Sequence, residues 1–180
     1  MIKTFGACIA LALSTAAVAQ TPPPPPPAEA KVKALPYVTA AGKSDLYEIN
    51  SSQIAVQKTK NPAVRSFAQT LIDHHQKTTA ATMKAAQAAK LNPGKPALDA
   101  GAAASITELR NASASDFDRI YLAQQIPAHQ AALDLHRSYS TGGDTPALRT
   151  SAKSAIPIVQ QHLDTAMKLQ GGGGHSGHNM

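Results

Sequence analysis

An all-α fold built from two helical hairpins is what this sequence of 180 residues predicts. Apolar residues recur at three- and four-residue steps through four long segments, whereas the alternation typical of a strand is hard to find. Short turns follow the first and third segments, and a long connection follows the second. Trp is absent and aromatic residues make up only 4% of the chain, which favours closely packed, Ala-rich helices. We therefore expect a four-helix bundle with one crossover.

The N-terminal residues have the pattern of a secretory signal peptide. Lys3 is followed by an apolar run over residues 5–13 and by a small-residue triplet at residues 17–19. We predict that residues 1–19 are removed by cleavage after Ala19 and that the protein is exported to the periplasm or the extracellular space. Cys8, the only cysteine, would be removed with them, which leaves no thiolate ligand. No segment has the roughly 20 consecutive apolar residues of a transmembrane helix.

The segments that flank the bundle have compositions unsuited to packed helices. Residues 20–34 contain six consecutive prolines and are predicted to be an extended polyproline spacer, with the folded domain beginning after it at residues 35–170. Residues 171–180, GGGGHSGHNM, are predicted to be a disordered tail. His175 and His178 in this tail are weak candidates for loose binding of a transition metal.

The first two helices have clear boundaries in the sequence. Helix 1 is predicted from Pro36 to Thr59, with Pro in the first turn, where the missing N–H costs nothing. Asn61 and Pro62 then begin helix 2 as a capping residue followed by Pro, and residues 91–96 end it. The inward face of helix 2 is predicted to comprise Val64, Phe67, Ala68, Leu71, His75, Thr78 and Thr82.

The crossover and helix 3 follow. A short helix is predicted from Ala102 to Asn111. Ser115 is expected to cap helix 3, with Asp118 placed to interact with the first-turn N–H groups. The inward face of helix 3 is predicted to comprise Asp118, Tyr121, Leu122, Gln125, His129, Ala132, Leu133 and His136.

Helix 4 is predicted from Pro146 to Leu169, after a turn at residues 140–144. Pro127 in helix 3 and Pro157 in helix 4 each remove a backbone hydrogen bond and are expected to kink their helices. The inward face of helix 4 is predicted to comprise Leu148, Ala152, Ile156, Val159, Leu163 and Ala166.

Short motifs along these helices resemble a known family. They are Glu48 in helix 1, FAQTLIDHH at residues 67–75, FDRIYLAQQIPAH at 117–129 and IPIVQQHLDTA at 156–166. In this order they resemble the ferritin-like, secreted bacterial proteins grouped as domain of unknown function 4142, over residues 35–169. The resemblance implies a ferritin-like four-helix bundle in the periplasm or cell envelope.

Several potential metal ligands are predicted to lie near the middle of the bundle, because the midpoint of a helix stays at that height whichever way the helix runs. Imidazole and carboxylate groups that converge from separate helices are how bundles build metal sites. The candidate ligands are Glu48, His74, His75, His129 and His162. The candidates for orienting these ligands are Asp73, Asp118 and Tyr121. Nitrogen and oxygen donors without thiolate suit iron, zinc, copper or manganese.

A second interpretation is a hydrogen-bonded polar layer that fixes the register of the helices. Neighbouring residues on a helix point about 100° apart, so only one of His74 and His75 should face the axis. The apolar stripe favours His75, whereas the family resemblance favours Asp73 with His74. His136 is expected near the surface.

Packing residues with exposed hydroxyl groups are expected at Tyr37, Tyr47 and Tyr139.

Known catalytic patterns are missing from the sequence. Di-iron bundles carry a Glu with a His three residues later, twice. Here Ser51 follows Glu48 at that spacing and Asn111 follows Glu108. Ferroxidase or oxygenase chemistry is therefore not supported, and no nucleophile elbow or phosphate-binding loop is present in the sequence.

The charge of the chain bears on its partners. The net charge of +6 falls to +5 without the leader and is spread along the chain, so we do not expect nucleic-acid binding. We expect a weak attraction to an anionic envelope polymer. We expect an exported, non-enzymatic binding or stress-related protein. The alternative is a metal-binding protein or a metal-dependent oxidoreductase that uses the ligands at mid-height.

Overall fold

The computed structural model describes residues 23–172, and this part of the chain is all-helical, as predicted. A short 3₁₀ helix at Ala28–Lys31 precedes the α-helices. The predicted signal peptide and the tail residues His175 and His178 lie outside the described residues. Residues 171 and 172, which were predicted to belong to the disordered tail, are instead the last residues of the final α-helix. The α-helices are α1 Ala34–Lys58, α2 Pro62–Ala88, α3 Ala100–Asn111, α4 Phe117–Gly142 and α5 Pro146–Gly172.

The starts of α2 and α4 show how local sequence sets the boundaries. Asn61 caps α2 as predicted, since its Oδ1 accepts a hydrogen bond of 2.9 Å from the N–H of Ala63. Ser115 does not cap α4. The chain instead turns at Ser113, whose carbonyl accepts from the N–H of Phe117 at 3.0 Å, so the helix begins two residues later than Ser115. Asp118 Oδ1 has no hydrogen-bond partner among the described residues.

The four long helices contact one another in the cyclic order α1, α2, α5, α4. Three-residue turns make α1 antiparallel to α2 and α4 antiparallel to α5. Helices α1 and α4 are also antiparallel, because Tyr37 pairs with His136 whereas Ser52 pairs with Tyr121. The connection from α2 to α4 therefore runs the length of these helices, and α3 within it contacts α1 and α4.

Two apolar clusters fill the core towards opposite ends of the long helices. A layer of buried polar side chains lies between them along each helix. One apolar cluster includes Ala55, Phe67, Leu71, Phe117, Tyr121 and Ala166. The other includes Tyr37, Ala41, Ala86, Leu135, Tyr139 and Leu148. The polar layer contains Asp45, Glu48, His75, Gln125, His129 and His162.

The proline-rich segment differs from the expected spacer. Ala30 is fully buried in the second apolar cluster, and the carbonyl of Val32 accepts a 3.0 Å hydrogen bond from the N–H of Asp144. Residues 23–27 line a cavity of about 370 Å³ against α1, α3 and α4. A Cβ on Gly101 would lie 2.7 Å from Cδ of Pro24, so the segment packs closely on the bundle. The core therefore begins before residue 35.

No helix within residues 23–172 combines the length and the apolar character needed to cross a membrane.

Candidate metal centre

Three buried imidazoles from three helices form the centre of the polar layer. One ligand atom from each of His75, His129 and His162 lies within 4.8 Å of the other two. These side chains are 3%, 1% and 2% exposed, respectively. Their helices bring them together because each lies on an inward stripe near the middle of α2, α4 or α5.

His75 is oriented by a carboxylate from α1. Its Nδ1 lies 2.8 Å from Oδ1 of Asp45, and the other oxygen of Asp45 accepts hydrogen bonds from Thr78 at 3.1 Å and Thr79 at 2.7 Å. The Nε2 of His75 is buried and has no partner among the described residues. Sequence reasoning missed Asp45. Its spacing of three residues from Glu48 places both on one face of α1 and was the signal that could have found it.

His129 is held by its own helix. Its Nδ1 lies 2.8 Å from the backbone carbonyl oxygen of Gln125. Burial lowers the pKa of His129 to about 3, so the ring is neutral at pH 7 and its single proton is on Nδ1, which donates to that carbonyl. The Nε2 atom therefore carries the lone pair. It is buried without a hydrogen-bond partner in the described part of the chain.

His162 is held by a second histidine. Its Nε2 lies 2.9 Å from Nδ1 of His74, and its Nδ1 is buried with no partner within residues 23–172. Burial lowers the pKa of His162 to about 2, with further lowering by the nearby charge of His75. His74 and His75 therefore both contact His162. His75 lies in the cluster, whereas His74 is only half-buried where α2 meets α5.

The electrostatic environment distinguishes His75 from the other two imidazoles. Burial alone would lower the pKa of His75, but the hydrogen bond to Asp45 and the charges of Asp45 and Glu48 outweigh it. The pKa of His75 is therefore raised. The negative charge that supports a proton on His75 would equally support a bound cation.

Glu48 lies beside the three histidines. It is 2% exposed, and its Oε1 is 3.8 Å from Nδ1 of His129. Neither carboxylate oxygen has a hydrogen-bond partner among the described residues. Burial raises the pKa of Glu48 to about 7. The ligand atoms that lie within 4.8 Å of one another all come from the three histidines, so the carboxylate of Glu48 is not part of this group.

The three residues predicted to orient ligands lie elsewhere. Asp73 is exposed and accepts a hydrogen bond from Gln69 at 3.1 Å. Tyr121 pairs with Ser52 at 2.8 Å. Tyr121 and Asp118 precede His129 by 8 and 11 residues in α4, which places them about 12 and 16 Å away along the helix axis. Asp45 and the carbonyl of Gln125, rather than these three residues, contact the rings of His75 and His129.

His136 was predicted near the surface, and the structure shows this to be wrong. Its side chain is 6% exposed, and its Nδ1 lies 3.0 Å from Oη of Tyr37. Burial lowers the pKa of His136 to about 4. The ring of Tyr37 also stacks on that of Tyr139, with 3.9 Å between centroids.

The predicted exposure of the tyrosine hydroxyls is also wrong for all three residues, since Tyr37, Tyr47 and Tyr139 are between 0% and 2% exposed. Oη of Tyr37 is in the buried pair with His136, and Tyr47 donates at 2.8 Å to Oε1 of buried Gln124. Tyr139 donates to exposed Asp144 at 3.1 Å. A helical stripe shows which side chains face inward but not which polar partner lies on the neighbouring helix.

Three solved structures of one copper- or silver-bound protein are similar to this chain in fold. The chain is similar to CopM in the Cu(II)-bound form, with a TM-score of 0.67 and 17% identity over 78% of this chain and 97% of that chain. For CopM in the Cu(I)-bound form the TM-score is 0.65 and the identity 17%, over 79% of this chain and 98% of that chain. For CopM in the Ag-bound form, obtained by co-crystallization, the TM-score is 0.65 and the identity 18%, over 81% of this chain and 98% of that chain. At these identities the likeness concerns the fold. No curated protein matches.

The sequence itself supports the predicted family. A family model described as "Domain of unknown function (DUF4142)" matches residues 19–169, which confirms the resemblance seen in the motifs. This chain belongs to the DUF4142 family.

Proposed function

We propose that this protein binds one transition-metal ion, with copper the first candidate, through His75, His129 and His162. The observation that carries the proposal is that each ring leaves one nitrogen buried and without a hydrogen-bond partner in the described part of the chain, and that ligand atoms of the three rings lie within 4.8 Å of one another. Buried polar atoms are otherwise almost always hydrogen-bonded. One cation would satisfy all three nitrogens together.

The outer nitrogens support the same conclusion. A metal-bound histidine typically uses its second nitrogen in a hydrogen bond to a carboxylate, a carbonyl or another acceptor, which fixes the ring. Asp45, the carbonyl of Gln125 and His74 provide these contacts here. A polar layer that served only to fix the register would pair the inner nitrogens as well.

The cluster would contract on binding. Metal–nitrogen bonds of about 2 Å require nitrogens closer together than 4.8 Å. Small rotations of the imidazole rings supply this movement. Glu48, buried beside His129, supplies negative charge next to the cation and is near enough to join the ligands by a change of rotamer.

The donor set and the relatives favour copper. Imidazole nitrogens bind copper, zinc, nickel and iron, and Cu(II) binds most tightly of the divalent first-row ions. The three CopM structures with the same fold hold copper or silver. We propose a binding role rather than catalysis, because the chain lacks the paired Glu and His motifs of di-iron oxygenases.

We also infer a ferritin-like bundle that works outside the cytoplasm. Four long helices with antiparallel neighbours and one long crossover support this arrangement. The signal-peptide pattern at residues 1–19 supports export to the periplasm or beyond.

Metal titration of the untagged protein tests the proposal. The His175→Ala/His178→Ala double variant serves as the background, so that the tail contributes no ligands. We expect one Cu(II) or Zn(II) ion per chain by calorimetry and by metal analysis. Because an outer partner alone is worth about 10–100-fold in affinity, loss of a direct ligand in His129→Gln or His162→Gln should exceed about 100-fold.

His136→Gln is the matched control. It also removes a buried histidine of α4, but one that pairs with Tyr37 outside the cluster. It should retain one ion per chain, and circular dichroism should show that all the variants are folded. A background protein that binds no metal, or a His129→Gln variant that binds as tightly as the background, contradicts the proposal.

A further inference from the structure

We propose that His74 is the ligand through which the metal ion enters and leaves the buried centre. This inference rests on the proposed function and adds a route to it. Of the four histidines in this region, His74 is the only one that is not fully buried, since His75, His129 and His162 are between 1% and 3% exposed.

His74 forms one end of a chain of imidazole nitrogens. Its Nδ1 lies 2.9 Å from Nε2 of His162, and the two rings stack with their centroids 5.1 Å apart. The other nitrogen of His162, Nδ1, is buried and has no hydrogen-bond partner in the part of the chain that the structure describes. The Nε2 of His74 makes no hydrogen bond within residues 23–172 and belongs to a half-buried side chain. Metal ligands therefore follow one another from the surface to the centre.

Packing closes the two ends of the bundle and two of its other seams, and α3 covers the seam between α1 and α4 next to Tyr47 and Ala128. The apolar clusters at the two ends of the bundle block access along the axis. Between α4 and α5, Leu133, Val159 and Leu163 pack together with Ile126 and Ile156. Between α1 and α2, the carboxylate of Asp45 is held by three hydrogen bonds.

The seam between α2 and α5 is open by comparison. A groove there is lined mostly by small and hydroxyl-bearing side chains, with Lys77 and Lys84 on the α2 wall. Thr78 on one wall and Ile158 on the other each lie four residues from His74 and His162, respectively, which is about one helical turn. The groove thus begins next to the pair of rings.

Stepwise ligand exchange would carry the ion along this path. A hydrated ion would replace one water ligand with Nε2 of His74, while Nδ1–H of His74 donates to Nε2 of His162. As the ion moves to Nδ1 of His162, the shared proton shifts to Nε2 of His162, and the proton displaced from Nδ1 of His162 passes through water to Nε2 of His74. The ion then replaces further waters with nitrogens of the other two histidines. No electron transfer is required. A residue that acts in this way changes the rates of uptake and release in the same proportion, so the dissociation constant stays the same.

Stopped-flow mixing with Cu(II), in the tail-substituted background, tests this role. In His74→Asn the side-chain oxygen can occupy the place of Nδ1 and accept from His162, but the second ring nitrogen is lost. We expect the uptake and release rates to fall together by about tenfold or more, with the dissociation constant changed by less than about threefold. Gln76→Asn, at an exposed position two residues away, is the matched control and should keep the rates of the background protein.

His74→Ala separates a ligand from a steric gate. Loss of a ligand slows uptake, whereas loss of a gate accelerates it. Faster uptake in His74→Ala, or unchanged rates in His74→Asn, overturns the inference. So does a weaker affinity in His74→Asn that arises from faster release alone, because that pattern means that His74 only positions His162. If the background protein binds no copper at equilibrium, the proposed function itself fails before any rate is compared.

Discussion

Nδ1 of His75 lies 2.8 Å from Oδ1 of Asp45, and this contact ties the candidate metal centre to α1, a helix that contributes none of the three imidazoles. Asp45 is 7% exposed and is itself fixed by Thr78 and Thr79. The ring of His75 is thereby held through its Nδ1, with its centroid 5.7 Å from that of His129 and 5.3 Å from that of His162. All four long helices thus take part in shaping the centre.

Asp45→Asn should weaken metal binding by about 10–100-fold, the usual effect of removing an outer hydrogen-bond partner. The amide keeps the shape of the side chain but removes the charge that favours a cation on His75. Competition titration with Cu(II) or Zn(II) measures the change. Asp73→Asn removes an exposed carboxylate from α2 and should leave the affinity as it was. Equal affinities in the two variants would show that Asp45 has no part in the site.

Periodicity and midpoints were enough to predict the helices and the shared height of His75 and His129, whereas buried His162 was not on the predicted inward face of helix 4. These features depend on local sequence, because an inward stripe at three- and four-residue steps fixes which side chains meet in the core. Asp45 and Gln125 were missed as orienting groups because their roles depend on a neighbouring side chain or a backbone carbonyl. The periodicity of one helix shows which face Asp45 occupies but not the partner that it meets there.

The sequence did not decide between His74 and His75, because the prediction assumed that α2 has a single inward direction. Helix α2 contacts both α1 and α5, and these neighbours lie in different directions from its axis. Two residues of α2 that point about 100° apart can therefore each face one of these neighbouring helices. The proline-rich segment was misjudged for a similar reason, since proline prevents helix formation but not packing against helices.

Glu48 should make the metal-free protein less stable as the pH rises from about 4.5 to about 7. Its pKa is raised from 4.5 to about 7 by burial, so in this range the folded state binds a proton that the unfolded state has lost. The penalty is complete above the folded pKa and absent below the unfolded one. For Glu48 alone it amounts to about 3 kcal/mol, since each pKa unit corresponds to about 1.4 kcal/mol.

Urea unfolding of the wild type and of Glu48→Gln at about pH 5 and about pH 8 measures this effect. The gain in free energy of unfolding from the substitution should be larger at the higher pH. Glu29→Gln, at an exposed position, should show no such difference. A gain that is the same at both pH values would mean that Glu48 titrates normally.

His129 should contribute to acid destabilisation of the metal-free protein. Burial lowers its pKa from 6.5 to about 3, so between these values the unfolded state binds a proton and the folded state does not. Stability is therefore lost as the pH falls below about 6.5, and His129→Gln should show a shallower decline. Unfolding curves of the two proteins from about pH 7 to about pH 4 measure the slopes, which should agree above about pH 7. Parallel slopes throughout would contradict the buried, neutral state of His129.

Tyr37→Phe should destabilise the fold without weakening metal binding. The substitution removes the hydroxyl that lies 3.0 Å from Nδ1 of His136 and leaves a buried nitrogen without a partner, which costs about 1–3 kcal/mol. The phenyl ring can keep the stack on Tyr139. His136 follows His129 by seven residues in α4, which is about 10 Å along the axis, so the metal affinity should stay the same.

A double-mutant cycle separates the hydrogen bond from the packing of the two rings. Replacing both partners of a buried hydrogen bond with apolar groups of similar shape is close to neutral, whereas replacing one is not. Tyr37→Phe/His136→Phe should therefore recover part of the stability lost in Tyr37→Phe, as measured by urea unfolding. If the two substitutions are additive, Tyr37 and His136 are not coupled. A loss of metal affinity in Tyr37→Phe would instead connect this pair to the centre formed by His75, His129 and His162.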